Sequence, residues 1–223
     1  MSVPGFMPQL SGGGGAAAAV VSFESSAVDG NSATIYTFSG VALGAAAADR
    51  YIIAGVSGDS AGDTTITTVT IGGVAATELM DGSNSQANMG FFIAAVPTGT
   101  TGDVVVTFSG SKARAGCACW RATGLASPTP HATLQDTTLS GAVLSGTINV
   151  PSNGFVIAYD ACDGTITTTW VGVTEDFDEA RDGTNRYHSG GFDLVPGGET
   201  GRTVSATYAS APTAQIMQAV SFS

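Results

Sequence analysis

Apolar and polar positions alternate in short runs along most of the chain, and Gly, Asp, Asn and Pro cut each run before it reaches helical length. Runs rich in β-branched and aromatic residues, bounded by turn formers, predict strands. They fall near residues 19–24, 33–43, 50–56, 65–71, 89–96, 103–109 and 115–122. A second set falls near 132–137, 142–150, 154–160, 165–174, 187–195, 202–209 and 214–222. Such a count, twice over, is that of two sandwiches with Greek-key connections. In the strand closing the first set Gly116, Ala118, Trp120 and Ala122 share a face, and in the last strand Ile216, Gln218, Val220 and Phe222 do. Removing the last few residues is therefore expected to open the second core.

The two sets are similar in wording as well as in pattern. Thr65-Ile66-Thr67-Thr68 returns as Thr165-Ile166-Thr167-Thr168, and Phe92 and Phe108 return as Phe192 and Tyr208. The spacing is about 100 residues, which is the mark of a tandem duplication. Asp81-Gly82-Ser83-Asn84 faces Asp182-Gly183-Thr184-Asn185, and Arg50-Tyr51-Ile52-Ile53-Ala54 faces Gly154-Phe155-Val156-Ile157-Ala158. Between the copies, Ser127-Pro128-Thr129-Pro130 makes a stiff connector. The expected architecture is all-β: two tandem antiparallel β-sandwich modules of Greek-key type, residues 20–125 and 126–223, behind an extended arm of residues 1–19. The shared positions are strand and turn residues, so they report folding and not turnover.

Charge narrows the range of partners. Charged residues make up only 11% of the chain, and 18 acidic against 7 basic residues leave a net charge of −11. That field disfavours nucleic acid and anionic membranes. No basic residue precedes Arg50, so a secretory n-region is not expected, and the apolar stretch Ala16 to Val21 is too short to span a bilayer. Release into the cytoplasm is the expectation. The arm lacks periodicity but carries Val3, Phe6, Met7 and Leu10, apolar side chains that suit docking on a neighbouring subunit.

Candidate chemistry is sparse, and each case has a structural alternative. Gly58-Asp59-Ser60-Ala61-Gly62 fits the nucleophile-elbow pattern, but a strand follows it where a helix is needed, and only His131 and His188 could act as base. A turn is expected. Cys117 and Cys119 point to one side of a strand, and with Cys162 they lack a fourth zinc ligand, so small apolar packing is expected. The run Glu175-Asp176-Phe177-Asp178-Glu179 offers oxygen ligands for calcium, without the order of a calcium loop. As a plain strand it would set Asp176 and Asp178 on one solvated face with Phe177 opposite. The paired Asp-Gly loops are expected as turns. Their alternative role is glycan binding by Asn84 and Asn185 beside Trp170 and Tyr187. No cofactor and no catalytic residue is expected.

Thr68-Val69-Thr70-Ile71-Gly72-Gly73-Val74-Ala75-Ala76-Thr77, followed by Val96-Pro97-Thr98-Gly99-Thr100-Thr101-Gly102-Asp103-Val104-Val105-Val106-Thr107-Phe108-Ser109, resembles the β-sandwich, often immunoglobulin-like, auxiliary virion proteins of tailed bacteriophages. The likeness lies in strands and turns of the first copy and, more weakly, of the second. It implies a structural protein of the virion, assembled in the host cytoplasm in a symmetric array or homo-oligomer with other virion proteins. Capsid decoration or cementing is the first expectation, and a tail or fibre component that binds host glycan is the alternative.

Overall fold

The computed structural model describes residues 18–59, 64–84, 86–139, 141–164, 166–181 and 186–223. Among them there is no helix. The first half of the chain forms β1 (Val20–Asp29), β2 (Ala33–Ala42), β3 (Tyr51–Asp59), β4 (Ile66–Ile71), β5 (Val74–Ala75), β6 (Thr77–Ser83), β7 (Ala87–Ala95), β8 (Thr101–Lys112) and β9 (Arg114–Thr123). The second forms β10 (Ala132–Asp136), β11 (Val143–Val150), β12 (Gly154–Cys162), β13 (Thr168–Val171), β14 (Thr174–Ala180), β15 (Tyr187–Val195), β16 (Glu199–Tyr208) and β17 (Gln215–Phe222).

Four antiparallel sheets result. Sheet I has the order β1-β9-β3-β7-β6 and sheet II the order β2-β8-β4-β5; sheet III runs β10-β17-β12-β15-β14 and sheet IV β11-β16-β13. Apart from the two-residue β5, the second pair repeats the order of the first strand for strand. Three apolar clusters fix the stacking. Tyr36, Phe92 and Phe108 lie in the cluster between sheets II and I, and Leu144, Val156 and Val204 in the one between III and IV. A third cluster joins Phe91 and Trp120 of sheet I to Phe155, Tyr159 and Phe222 of sheet III. The layers therefore run II–I–III–IV.

This stacking explains the two most apolar strands. In β3, Ile52, Ala54 and Val56 face sheet II while Ile53 faces sheet III, and every residue after Tyr51 is buried. In β12, Val156 and Ala158 face sheet IV while Phe155, Ile157 and Tyr159 face sheet I. A strand covered on both sides needs no polar face, whereas β2, in an outer layer, buries Tyr36 and Phe38 and exposes Ile35 and Thr37. Each large side chain buried in this way stabilises the fold by about 1.5–3 kcal/mol.

Two elements differ from the sequence expectation. β6 and β14 are full edge strands of sheets I and III, whereas residues 81–84 read as a turn and residues 175–179 as a solvated edge. Asp81, Gly82 and Ser83 belong to β6, and only Asn84 stands in the turn. A register shift lies between Glu78 and Met80 in one strand and between Glu175 and Phe177 in the other. Such a bulge puts neighbouring side chains on one side and hides the alternation. Asp176 and Phe177 thus both meet sheet I: Trp120 Nε1 donates to Asp176 at 2.8 Å, and Phe177 stacks on Phe23 at 5.4 Å. Asp178 instead accepts from the Thr168 amide of sheet IV at 2.8 Å. The two aspartates do not share a face. Burial pushes both carboxyls up to about 6.

Candidate functional site: a buried polar seam and two Thr-rich outer faces

The apolar seam between sheets I and III ends in a polar chain. β3 supplies Ser57 and Asp59, β12 supplies Tyr159, and β14, β15 and the turn between them supply Glu179, His188 and Arg181. Arg181 pairs with Asp59 at 2.7 Å and donates to Ser57 Oγ and to the Cys162 carbonyl, both at 3.3 Å. Ser57 Oγ and Tyr159 OH are 2.8 Å apart, Tyr159 OH and His188 Nδ1 2.8 Å, and His188 Nε2 and Glu179 Oε1 3.1 Å. Burial pulls the His188 pKa down, and the bond from His188 pulls that of Glu179 down. A neutral imidazole beside a carboxylate carries its proton on Nε2, so Nδ1 accepts from Tyr159 and Tyr159 accepts from Ser57. Every hydrogen then points one way, from Arg181 to Glu179.

Close approach at this seam depends on glycine. A Cβ on Gly116 would sit 2.8 Å from His188 Nδ1 and 3.1 Å from Arg181 Cδ, and one on Gly55 would sit 2.9 Å from Tyr159 Cδ1. Ser57, Tyr159 and His188 have no exposed surface. The described grooves lie elsewhere: at Gly72 and Pro97, between Val74 and Pro130, and at Pro151 and Gly198. The seam resembles a catalytic relay in its parts, but in this arrangement it joins the two halves. Gln218 Nε2 donating to Met89 O at 3.1 Å and Asn84 Nδ2 donating to Gln215 O at 2.7 Å extend the same junction.

A second polar cluster lies on the inner face of sheet I, toward sheet II. Lys112, the sole lysine, is fully buried at the end of β8, and its ammonium donates to Asn88 Oδ1 of β7. The same oxygen accepts from Thr64 Oγ1 at 2.9 Å, and Asn88 Nδ2 donates to the Thr64 carbonyl. Lys112 Nζ stands 5.4 Å from the centre of the Phe108 ring. Burial lowers its pKa to about 8 and raises that of Asp81 to about 6.

The remaining sequence candidates are scattered. Trp170 is half-buried on the III–IV core, with Nε1 donating to Ser189 Oγ at 2.7 Å, and Tyr187 packs on the same core. The Asn84 side chain is engaged in its own turn, accepting from the Gln86 and Ala87 amides, besides its bond to Gln215. Asn185, Ser60 and the arm residues Val3, Phe6, Met7 and Leu10 lie outside the described residues. His131 is exposed beside the proline connector. Cys117 and Cys119 are buried in the II–I core, and Cys162 in the III–IV core. Among the described residues no three His, Cys, Asp or Glu side chains are grouped to hold a metal ion.

The two outermost surfaces share a chemistry. On sheet II the paired outward positions are Ile35, Thr37, Thr68, Thr70, Val105 and Thr107. On sheet IV they include Val143, Ser145, Thr147, Thr169, Val171 and Thr207. None is charged. Ile35 is 57% exposed and Val171 55%. The sequence held this signal as Thr-rich alternation. It held little sign of the seam, because Ser57 and Asp59 end an apolar run while Arg181 and His188 stand in a polar stretch more than a hundred residues away, and nothing local links them. Comparison with protein-family models, curated proteins and solved structures finds no match for this chain.

Proposed function

We propose that this chain is a non-enzymatic structural protein of a tailed-phage virion, a capsid decoration or cement subunit made of two repeated, immunoglobulin-like β-sandwich units. The observation that supports this reading is the pair of Thr-rich, hydroxyl and β-branched faces at opposite ends of the stack, of which sheet II carries one exposed carboxylate, Asp103, near its end. In a chain of net charge −11, these are where another protein can approach while desolvating few carboxylates. Standard interfaces bury about 1,600 Å² in total, so one face needs help from an edge or from the arm. In this reading the apolar residues of the arm supply that help on the shell, and the seam makes the two units one rigid strut.

Binding to purified heads lacking the protein tests the reading. Thr37→Asp with Thr68→Asp on sheet II, and Thr147→Asp with Val171→Asp on sheet IV, place carboxylates on either face without touching a core. At least one pair is expected to abolish attachment with the melting temperature unchanged, and deletion of residues 1–15 is expected to do the same. Full attachment by all three variants refutes the docking mode. Copy number separates the shell from the alternative of a glycan-binding tail or fibre part: hundreds per particle in the first case, a handful in the second.

A further inference from the structure

We propose that the folded chain joins Lys112 to Asn88 through an intramolecular isopeptide bond, formed between Lys112 Nζ and Asn88 Cγ with release of ammonia. The inference is independent of the surface on which the protein docks.

The two groups already touch, and each is prepared for the reaction. Lys112 and Asn88 are 0% and 1% exposed, and the lysine nitrogen meets an amide oxygen and an aromatic face. Burial lowers the amine to about 8, so a useful fraction is the neutral nucleophile near neutral pH. The Thr64 hydroxyl donates to the same oxygen that would take up charge when the amine adds to Cγ. Asn88 cannot swing away, because its Nδ2 is tied to the Thr64 carbonyl. Backbone placement is equally fixed: Tyr36 OH donates to the Lys112 carbonyl at 2.7 Å, and Gly58 leaves room for the lysine stem, since a Cβ there would sit 3.1 Å from Lys112 Cγ. Holding both partners in a dry pocket replaces a bimolecular encounter with a pre-oriented one.

A carboxyl suited to carry the proton lies on the same sheet face, beyond hydrogen-bond distance of either group. Asp81 is opposite Gly90, and Asn88 is two residues from Gly90 on β7, so the carboxyl and the amide lie diagonally on one sheet face. Asp81 Oδ1 is buried without a hydrogen-bond partner among the described residues, and burial raises the carboxyl to about 6. Asp59, whose charge also bears on Lys112, belongs to the seam and is paired with Arg181. In the reaction the neutral amine adds to Cγ and the carbonyl electron pair moves to Oδ1. Asp81 takes a proton from the lysine nitrogen and delivers one to the amide nitrogen. As the carbonyl reforms, the Cγ–Nδ2 bond breaks, ammonia leaves, and a secondary amide remains. Nothing is oxidised or reduced, and no co-reactant enters.

The pair occurs in one half only. By strand register Tyr187 stands where the repeat places Asn88, and Pro212 where it places Lys112, so scaffold needs common to both halves do not account for it. The bond would tie β7 of sheet I to β8 of sheet II across the sandwich, between residues 24 apart in sequence.

Intact-mass measurement of the full-length protein tests the proposal. The expected mass is about 17 Da below the sum for the sequence, the mass of the lost ammonia. Asn88→Ala and Lys112→Arg should restore the full sum. Because Lys112 is the only lysine, the unfolded wild-type chain should take an amine-reactive label at its amino terminus and none at Lys112. Cleavage at Phe91, Phe92 or Phe108 should leave the pieces carrying Asn88 and Lys112 joined. A wild-type chain of full mass whose Lys112 labels on unfolding overturns the proposal, even if the variants fail to fold. So does an ammonia deficit located in a succinimide with Lys112 still reactive. Asp81→Ala should slow the deficit at least tenfold, and a bond formed at the wild-type rate removes Asp81 from the scheme.

Discussion

Replacing Arg181 with Met tests whether the seam carries stability as the geometry requires. Arg181 is fully buried and its partner Asp59 nearly so, with 2.7 Å between their charged atoms. The substitution keeps most of the side-chain volume but leaves Asp59 with Arg186, at 3.7 Å, as its ion-pair partner among the described residues, and removes a donor from Ser57. Breaking a buried ion pair from one side costs about 3–5 kcal/mol, because the remaining charge stays desolvated. That is a large share of the roughly 5–15 kcal/mol that holds a typical domain together. With a urea dependence of about 2–3 kcal/mol per molar for a chain of this size, the unfolding midpoint should fall by about 1–2 M. Tryptophan fluorescence reports the transition, since Trp120 lies in the seam. The double variant Asp59→Leu with Arg181→Met removes both charges and should recover most of the loss. A single variant within about 0.5 M of wild type, or a double variant no better than the single, would refute this account of the junction.

Other outcomes follow from the same contacts. Gly116→Ala should destabilise by about 1–3 kcal/mol in urea denaturation, since its Cβ would collide with His188 and Arg181. Asp160 is fully buried, and burial raises its carboxyl to about 7 from the ordinary 3.8, against bonds from the Thr168 hydroxyl and the Ser189 amide. Its folded-state pKa lies above the unfolded one, so its stabilisation is complete below pH 3.8 and is lost as pH rises through about 7. Wild type should therefore lose melting temperature relative to Asp160→Asn between pH 4 and pH 8, and a constant difference between the two would rule this out. If the Lys112–Asn88 bond forms, Asn88→Ala loses a closed loop of 24 residues, worth about 3 kcal/mol of denatured-state entropy. Its melting temperature should fall accordingly.

Fold class was legible because alternation and turn chemistry are local. The runs Ala33–Ala42, Thr101–Lys112 and Val143–Val150 form outer-layer strands with one wet face, and each alternates buried apolar residues with outward Thr, Ser and β-branched ones. β6 was missed and the faces of β14 were misassigned because a bulge in each breaks the period that identifies a strand. The candidate site was less legible. Asn84 and Trp170 looked free in sequence, but hydrogen bonds to Gln215 and Ser189 take up their polar atoms. Lys112 stood out only as the single lysine, and nothing within a few residues of it names Asn88.

The amino-acid sequence by itself determined an all-β chain, the repeated order of its strands, the proline connector, and the neutral chemistry of the outer positions. Each of these depends on neighbours one or two residues away or on direct repetition. Only the tertiary structure decided that sheets I and III meet face to face, that Arg181 of one half neutralises Asp59 of the other, and that Lys112 reaches Asn88. The reason is that a strand covered on one side and a strand covered on both obey the same backbone rules. Which surface covers the second face is a long-range outcome, set by glycines that admit Tyr159 and His188 and by the burial that those rings then complete.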